Sequence, residues 1–281
     1  MRADNVTGPI TYHGEGPCWS PSWGGLRFVD LYAGDLLTID NGKVTRLNTG
    51  EDVASFVRPR EHGGYVVGTR QGIGLAESAD TAPSARLLLM PESDLRMNDG
   101  GITPDGRLLA GSMSADGSPT GCLYLVEPDL SYGVAATNVG CSNGIAFSVA
   151  GDRAYYVDTV TSRIDEFDYQ NGSLIGRRPF VTIDPEIVYP DGLTVDSLGN
   201  VWVAVWGAGE VHAYDREGTL LQIVELPTRH VSACAFGDDD LSTLYITTSQ
   251  ERIDTAAEPE AGSLFSVRPG VAGPPVVPFL G

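Results

Sequence analysis

The chain has 281 residues, 42% of them hydrophobic and 20% charged, with 18 Lys and Arg against 37 Asp and Glu and a formal net charge of -19. A surface that acidic repels phosphate backbones and anionic lipid, so nucleic acid and membranes are excluded as expected partners, and no run of about 18 apolar residues offers a transmembrane helix. The cysteines, Cys18, Cys122, Cys141 and Cys234, form no CxxC pair, and MRADNVTGPI carries no basic or apolar leader, so the sequence predicts a reduced, cytoplasmic protein without a targeting segment.

Short runs rich in Val, Ile, Tyr and Phe follow one another along the chain. LRFVDLY (26–32), DLLTID (35–40), GYVVGT (64–69), RLLAGSM (107–113) and CLYLVEP (122–128) come first. IAFSV (145–149), AYYVDT (154–159), RIDEFDY (163–169), LTVDS (193–197), VWVAVW (201–206), EVHAYD (210–215) and LLQIVEL (220–226) continue the series, and TLYITTS (243–249) and SLFSVRP (263–269) end it. Gly, Asn, Asp and Pro turn signals separate the runs, and no long stretch keeps a 3.6-residue period, so the prediction is nearly all β.

The runs also repeat as a set. Asp99-Gly100, Asn143-Gly144 and Asp191-Gly192 each open a unit of polar residue, Gly, strand, Gly-containing turn, strand, loop and strand, with starts 44 and 48 residues apart. Glu15-Gly16, a start near Ala54 and a start near Val231 complete six units of about 45 residues, the length of a four-stranded propeller blade. The expected fold is therefore a single domain over residues 1–281, an all-β, six-bladed β-propeller with four-stranded blades. Residues near ITYHGEG (10–16), or just before them, should close the ring against the last blade, because a propeller must hide its first and last edges.

In such a ring the innermost strands run along the central channel, so equivalent positions in different units meet at the axis. Glu15, Asp99 with its neighbour Asn98, Asn143 and Asp191 share that position, while Ala54 or Ser55 and Ser232 or Ala233 leave room in the other two units. Carboxylates and amides facing a narrow channel need a counter-charge, and oxygen donors without His or Cys suit a hard divalent cation. Taken singly, Asp-Gly and Asn-Gly are common turn dipeptides; their shared phase is what favours a metal site.

GEGPxW at 14–19, RxNDG at 96–100, SNG at 142–144, YxDxxxxxIxxFDY at 156–169, PDGLTVDxxGxxWVA at 190–204 and the segment from AFG to LYITTS at 235–249 resemble, in order, the SMP-30/gluconolactonase/luciferin-regenerating enzyme family. The resemblance covers essentially the whole chain. It implies a six-bladed propeller and a metal-dependent lactonase or esterase, with one divalent ion (Ca²⁺, Mg²⁺, Mn²⁺ or Zn²⁺) held by Glu15, Asn143 and Asp191 and by Asn98 directly or through water. Asp191 is the implied base, with Asp99 behind it as a possible sharer of that role.

The substrate-contacting residues that the resemblance implies are Arg96 and Asn98, with Asp116 as candidate for an acidic residue on a loop that is short here, SADGSPTG (114–121). Trp206 is a further candidate, since an aromatic where a blade strand leaves the channel could floor a sugar pocket. The loops SADGSPTG and TIDPEIVY (182–189) are expected to set specificity. The expected partner is a small lactone, with the protein a monomer or small homo-oligomer. Two other readings share the site: organophosphate hydrolysis at the same metal, and a non-enzymatic metal-binding propeller. A strictosidine-synthase-like enzyme lacks support, because no candidate catalytic Glu lies outside the metal set.

Overall fold

The computed structural model describes residues 1–40, 42–91, 93–184 and 188–281. Among them, β1 (Asp4–Pro9) precedes five consecutive antiparallel sheets. Blade 1 is β2 (Gly14–Ser20), β3 (Gly25–Asp30), β4 (Asp35–Asp40) and β5 (Lys43–Asn48). Blade 2 is β6 (Val57–Pro59), β7 (Tyr65–Gly68), β8 (Gly72–Ala76) and β9 (Ala85–Leu88), and blade 3 is β10 (Arg96–Ile102), β11 (Leu108–Met113), β12 (Gly121–Val126) and β13 (Tyr132–Val139). Blade 4 is β14 (Ser142–Phe147), β15 (Arg153–Asp158), β16 (Arg163–Gln170) and β17 (Ser173–Thr182), and blade 5 is β18 (Tyr189–Val195), β19 (Val201–Trp206), β20 (Glu210–Tyr214) and β21 (Leu220–Glu225). The sixth sheet has only β22 (Val231–Gly237), β23 (Thr243–Thr248) and β24 (Ser263–Val267) from its own repeat. Its fourth strand is β1, paired antiparallel to β24 with Asp4 opposite Ser266. The six four-stranded blades are those the repeat predicts, and the closing strand lies just before ITYHGEG.

Blades stack because each strand alternates its side chains and each sheet has two apolar faces to cover. Among the described residues six clusters of buried hydrophobic side chains result, one in each gap between neighbouring blades. Phe56 and Ile73 of blade 2 meet Met97 and Leu108 of blade 3, for example, and Leu264 of blade 6 meets Phe28 and Leu37 of blade 1. Burying one such side chain contributes about 1.5–3 kcal/mol. The ring is thus held by repeated interfaces rather than by one central core.

The dipeptides Asp99-Gly100, Asn143-Gly144 and Asp191-Gly192 are not turns. They lie inside the innermost strands β10, β14 and β18. In five of the six blades the pairing of the innermost strand slips in register at these positions, between Glu15 and Cys18, Met97 and Gly100, Ser142 and Ile145, Pro190 and Leu193, and Val231 and Ala233. A β-bulge re-aims the side chains beside it. The glycines answer to crowding: a Cβ on Gly144 would sit 2.3 Å from the Leu193 backbone nitrogen, and one on Gly192 2.4 Å from the Ala233 Cβ, each in the next blade. A polar residue followed by Gly is therefore how this ring brings neighbouring inner strands close while turning a side chain to the axis.

The carboxy-terminal tail runs under the ring. Ala272 accepts a hydrogen bond from Ser197 of blade 5, and Gly273 donates to Leu241 of blade 6. Farther along, Phe279 pairs with Pro59 and Glu61 of blade 2 and is fully buried. Residues 274–277 border a cavity of about 450 Å³ that follows the channel inward from this lower face.

Candidate active site on the channel axis

The innermost strands all start at the upper face, so their first residues surround the upper part of the channel. Glu15, Asn98, Asp99, Asn143 and Asp191 are all buried there, each less than a tenth exposed. Glu15 accepts a hydrogen bond from the Gly16 backbone N–H at 2.9 Å, and its other oxygen lies 3.8 Å from His13 Nε2. Asp99 accepts from the Gly100 N–H at 2.7 Å and pairs with the Arg58 guanidinium at 3.4 Å. Asp191 Oδ1 is buried without a hydrogen-bond partner.

The three carboxyls disturb one another. Burial, then the charge of Asp99, pushes Glu15 up to about 8. Burial followed by the charges of Glu15 and Asp99 holds Asp191 well above the ordinary carboxylate range. Burial raises Asp99 as well, against the pull of Arg58. Three carboxyls in one desolvated space cannot all ionise without added positive charge. Arg58 answers one of them, and a divalent cation would answer the other two.

Beside the acids stands an amide pair. Asn98 Nδ2 donates to Asn143 Oδ1 at 3.1 Å and to the Ser142 carbonyl at 2.7 Å, while Asn98 Oδ1 accepts from Arg96 at 2.6 Å. Asn143 Nδ2 donates to Thr159 Oγ1 at 2.7 Å, while its oxygen takes the hydrogen bond from Asn98. Among the described residues no group of three His, Cys, Asp or Glu forms a ready ligand cluster, so the donor set depends on amide oxygen as well as carboxylate. Carboxylate and amide oxygens with an orphaned buried oxygen among them fit a hard divalent cation.

Repeat phase favours Asp99 for the axial position while the family resemblance favours Asn98 with Asp99 behind it, and the bulge between Met97 and Gly100 lets both reach the interior. They face different ways: Asn98 meets Arg96 and Asn143, whereas Asp99, with Arg58, lines the inner end of the lower cavity. Arg96 starts β10 at the upper mouth, its guanidinium 5.6 Å from the centre of the Tyr32 ring and close enough to Glu15 and Asp191 to lower both.

Trp206 ends β19 at the same face, but one side of its ring is stacked on His230 at 4.0 Å and His13 lies 5.7 Å away, so it stands as part of an aromatic wall. Asp116 is exposed, and its hydrogen bonds stay within its own loop, to Ser118 and Ser114. Of TIDPEIVY, Pro185, Glu186 and Ile187 lie outside the described residues.

The structure adds His13, Tyr32, Arg58, His230 and Glu251 to the residues around the channel. His13 had a signal, standing two residues before Glu15 in the repeat. Arg58 and Glu251 had none, since neither shares the repeat position of the axial set.

A ring of six four-stranded blades with buried carboxylates and amides converging on its axis is a six-bladed β-propeller with a polar axial site. The chain belongs to the SMP-30/gluconolactonase/LRE-like family, whose pattern residues 13–250 match. It is 33% identical to regucalcin of Bos taurus over 95% of each chain. A luciferin-regenerating enzyme superposes with a TM-score of 0.91 at 28% identity over 99% of each chain. A calcium-binding regucalcin of Agrobacterium tumefaciens, at 24% identity, shares the fold with a TM-score of 0.90 over 99% of this chain and 97% of its own.

Proposed function

We propose that this protein is a metal-dependent hydrolase that opens a small cyclic ester, a sugar aldonolactone. The observation that carries the reading is the unpartnered Oδ1 of Asp191, buried among two further carboxylates at the axis beneath Arg96. Family membership supports the same chemistry.

Glu15, Asn143 and Asp191 would hold the divalent cation, with Asn98 orienting Asn143 and contacting the ion directly or through water. When bound, that cation supplies Lewis-acid polarisation of the ester carbonyl. Arg96 offers hydrogen-bond donors at the mouth and orients the incoming ring. Asp191 accepts a proton from the attacking water as the water oxygen bonds to the carbonyl carbon. The ring C–O bond then breaks, and the departing alkoxide takes the proton back. Asp99 is the weaker candidate for that base, because its oxygen is engaged by Arg58 on the side of the lower cavity.

The test is a panel of aldonolactones and a fluorophosphate against metal-stripped protein reconstituted with Ca²⁺, Mg²⁺, Mn²⁺ or Zn²⁺. Ring opening that returns with a cation and exceeds fluorophosphate cleavage is the expected result. No opening with any of these ions, or a preference for the fluorophosphate, would sink the lactonase reading.

A further inference from the structure

The upper mouth is bordered by the connections between the second and third strands of the blades. Those of the first five blades are short, the longest of them being residues 114–120 of blade 3, which carry Asp116. The connection of blade 6 is much longer, residues 249–262, and it is pinned at both ends. Gln250 pairs with Tyr12 and Thr11 near its start. The Glu258 carboxylate takes hydrogen bonds from Thr228 and from the Arg229 backbone near its end.

This loop presents a carboxylate to the mouth. Glu251 Oε2 lies 3.2 Å from His13 Nδ1, and Ser249 Oγ is 2.9 Å from the same nitrogen. The Glu251 backbone is fixed as well, its N–H donating to Ser249 Oγ at 2.9 Å and its carbonyl 2.8 Å from His230 Nδ1. The side chain is a quarter exposed, so it is held without being sealed. The His13 hydrogen bond is the main reason its carboxyl sits below the usual range, with smaller help from Arg252 and from Arg96.

Arg96 belongs to blade 3 and Glu251 to blade 6, and these are opposite blades in a ring of six. The mouth above the acid cluster thus has a fixed donor on one side and a fixed acceptor on the other. A hydroxyl group both donates and accepts, and a ring bearing several of them is the ligand such a frame suits. We infer that Glu251 is a substrate-binding residue that accepts hydrogen bonds from hydroxyls of a polyhydroxylated ring. This rests on the lactonase reading for the reaction, but the binding claim stands by itself. Asp116, bonded within its own exposed loop, does not offer the same acceptor.

Glu251→Gln keeps the size and removes the charged acceptor. Charge-assisted hydrogen bonds to a substrate hydroxyl are worth about 10- to 100-fold, so kcat/KM for a polyhydroxylated aldonolactone should fall by about that factor, mainly through KM. The value for δ-valerolactone, a ring without hydroxyls, should change less than about 3-fold, and metal affinity by calorimetry should not change. An equal loss on both lactones, or no loss on either, overturns the inference.

Binding of a linear hexitol, followed by NMR on wild type and variant, separates this claim from the lactonase reading. If neither lactone is opened by wild type but hexitol binding weakens in Glu251→Gln, the binding inference stands and the lactonase reading falls. Hexitol binding indifferent to the substitution overturns the inference whatever the enzyme does.

Discussion

The two ends of the central channel are built from the same six strands, but carboxylates and amides crowd the upper end while apolar side chains make up much of the lower wall. Toward the upper face the inner strands contribute Glu15, Asn98, Asn143 and Asp191, under Arg96. A few residues farther along the same strands, the lower cavity is walled by Cys18, Ile102, Phe147, Val195 and Phe236. Asp99 and Arg58 sit between the two, lining the inner end of the cavity. The bulges mark the boundary. Before them each strand spends its burial on polar groups, which is costly; beyond them it returns to ordinary apolar packing, and that packing holds the expensive end in place.

The sharpest way to break this contrast is at Asp191. Asp191→Asn keeps the shape but removes a charge and the proton acceptor, so lactone turnover should fall by about a thousandfold or more while metal affinity only weakens. Asp191→Ala should lose both. Rates and metal affinity on folded variants decide it: near-normal turnover in Asn removes Asp191 from the base role, and normal metal affinity in Ala removes it from the site.

The lower end should respond in the opposite sense. Phe236 is 4% exposed and packs edge-on against Trp202, with ring centres 5.9 Å apart. Phe236→Ala should cost about 3–5 kcal/mol of stability, read from the denaturant midpoint, and leave kcat unchanged at temperatures where the protein is folded. A large loss of kcat there would mean that the two ends are coupled.

The smallest expected effect is one of pH. In metal-stripped protein burial and the charge of Asp99 push Glu15 up to about 8, from about 4.5 in the unfolded chain, so the folded state holds a proton that the unfolded state has given up between those values. Stability is therefore favoured at low pH and declines as pH rises from about 4.5 through 8, with Asp191 adding to the trend in the same direction. Melting temperature should drop by a few degrees between pH 5 and pH 8.5, and a divalent cation should flatten the curve. A pH-independent melting point without metal would show that the acids are not desolvated as described.

The inner strands were legible because a polar residue before Gly recurs at one phase of every well-marked repeat. The outer strand Leu220–Glu225 of blade 5 showed in the run LLQIVEL, but the outer strands of blades 1 to 4 did not. Lys43–Asn48, Ala85–Leu88, Tyr132–Val139 and Ser173–Thr182 are largely exposed, so they carry no continuous apolar run to announce them. The axial residues Glu15, Asn143 and Asp191 could be placed from phase alone, but phase favoured Asp99 where the family resemblance favoured Asn98, because a bulge abolishes the strict alternation on which the ranking depends. Arg58 and Glu251 reach the channel by side-chain length and by the length of one loop. Neither leaves a periodic trace.

The pairing of β1 with β24 also sets an order of events during synthesis. Asp4–Pro9 precedes five complete blades in the chain, whereas its partner Ser263–Val267 follows them. The nascent chain must carry an exposed, unpaired edge strand while five whole blades emerge, and the ring cannot close until the last strand has left the ribosome. Complete axial geometry is consequently a late event, reached in one closing step rather than accumulated blade by blade.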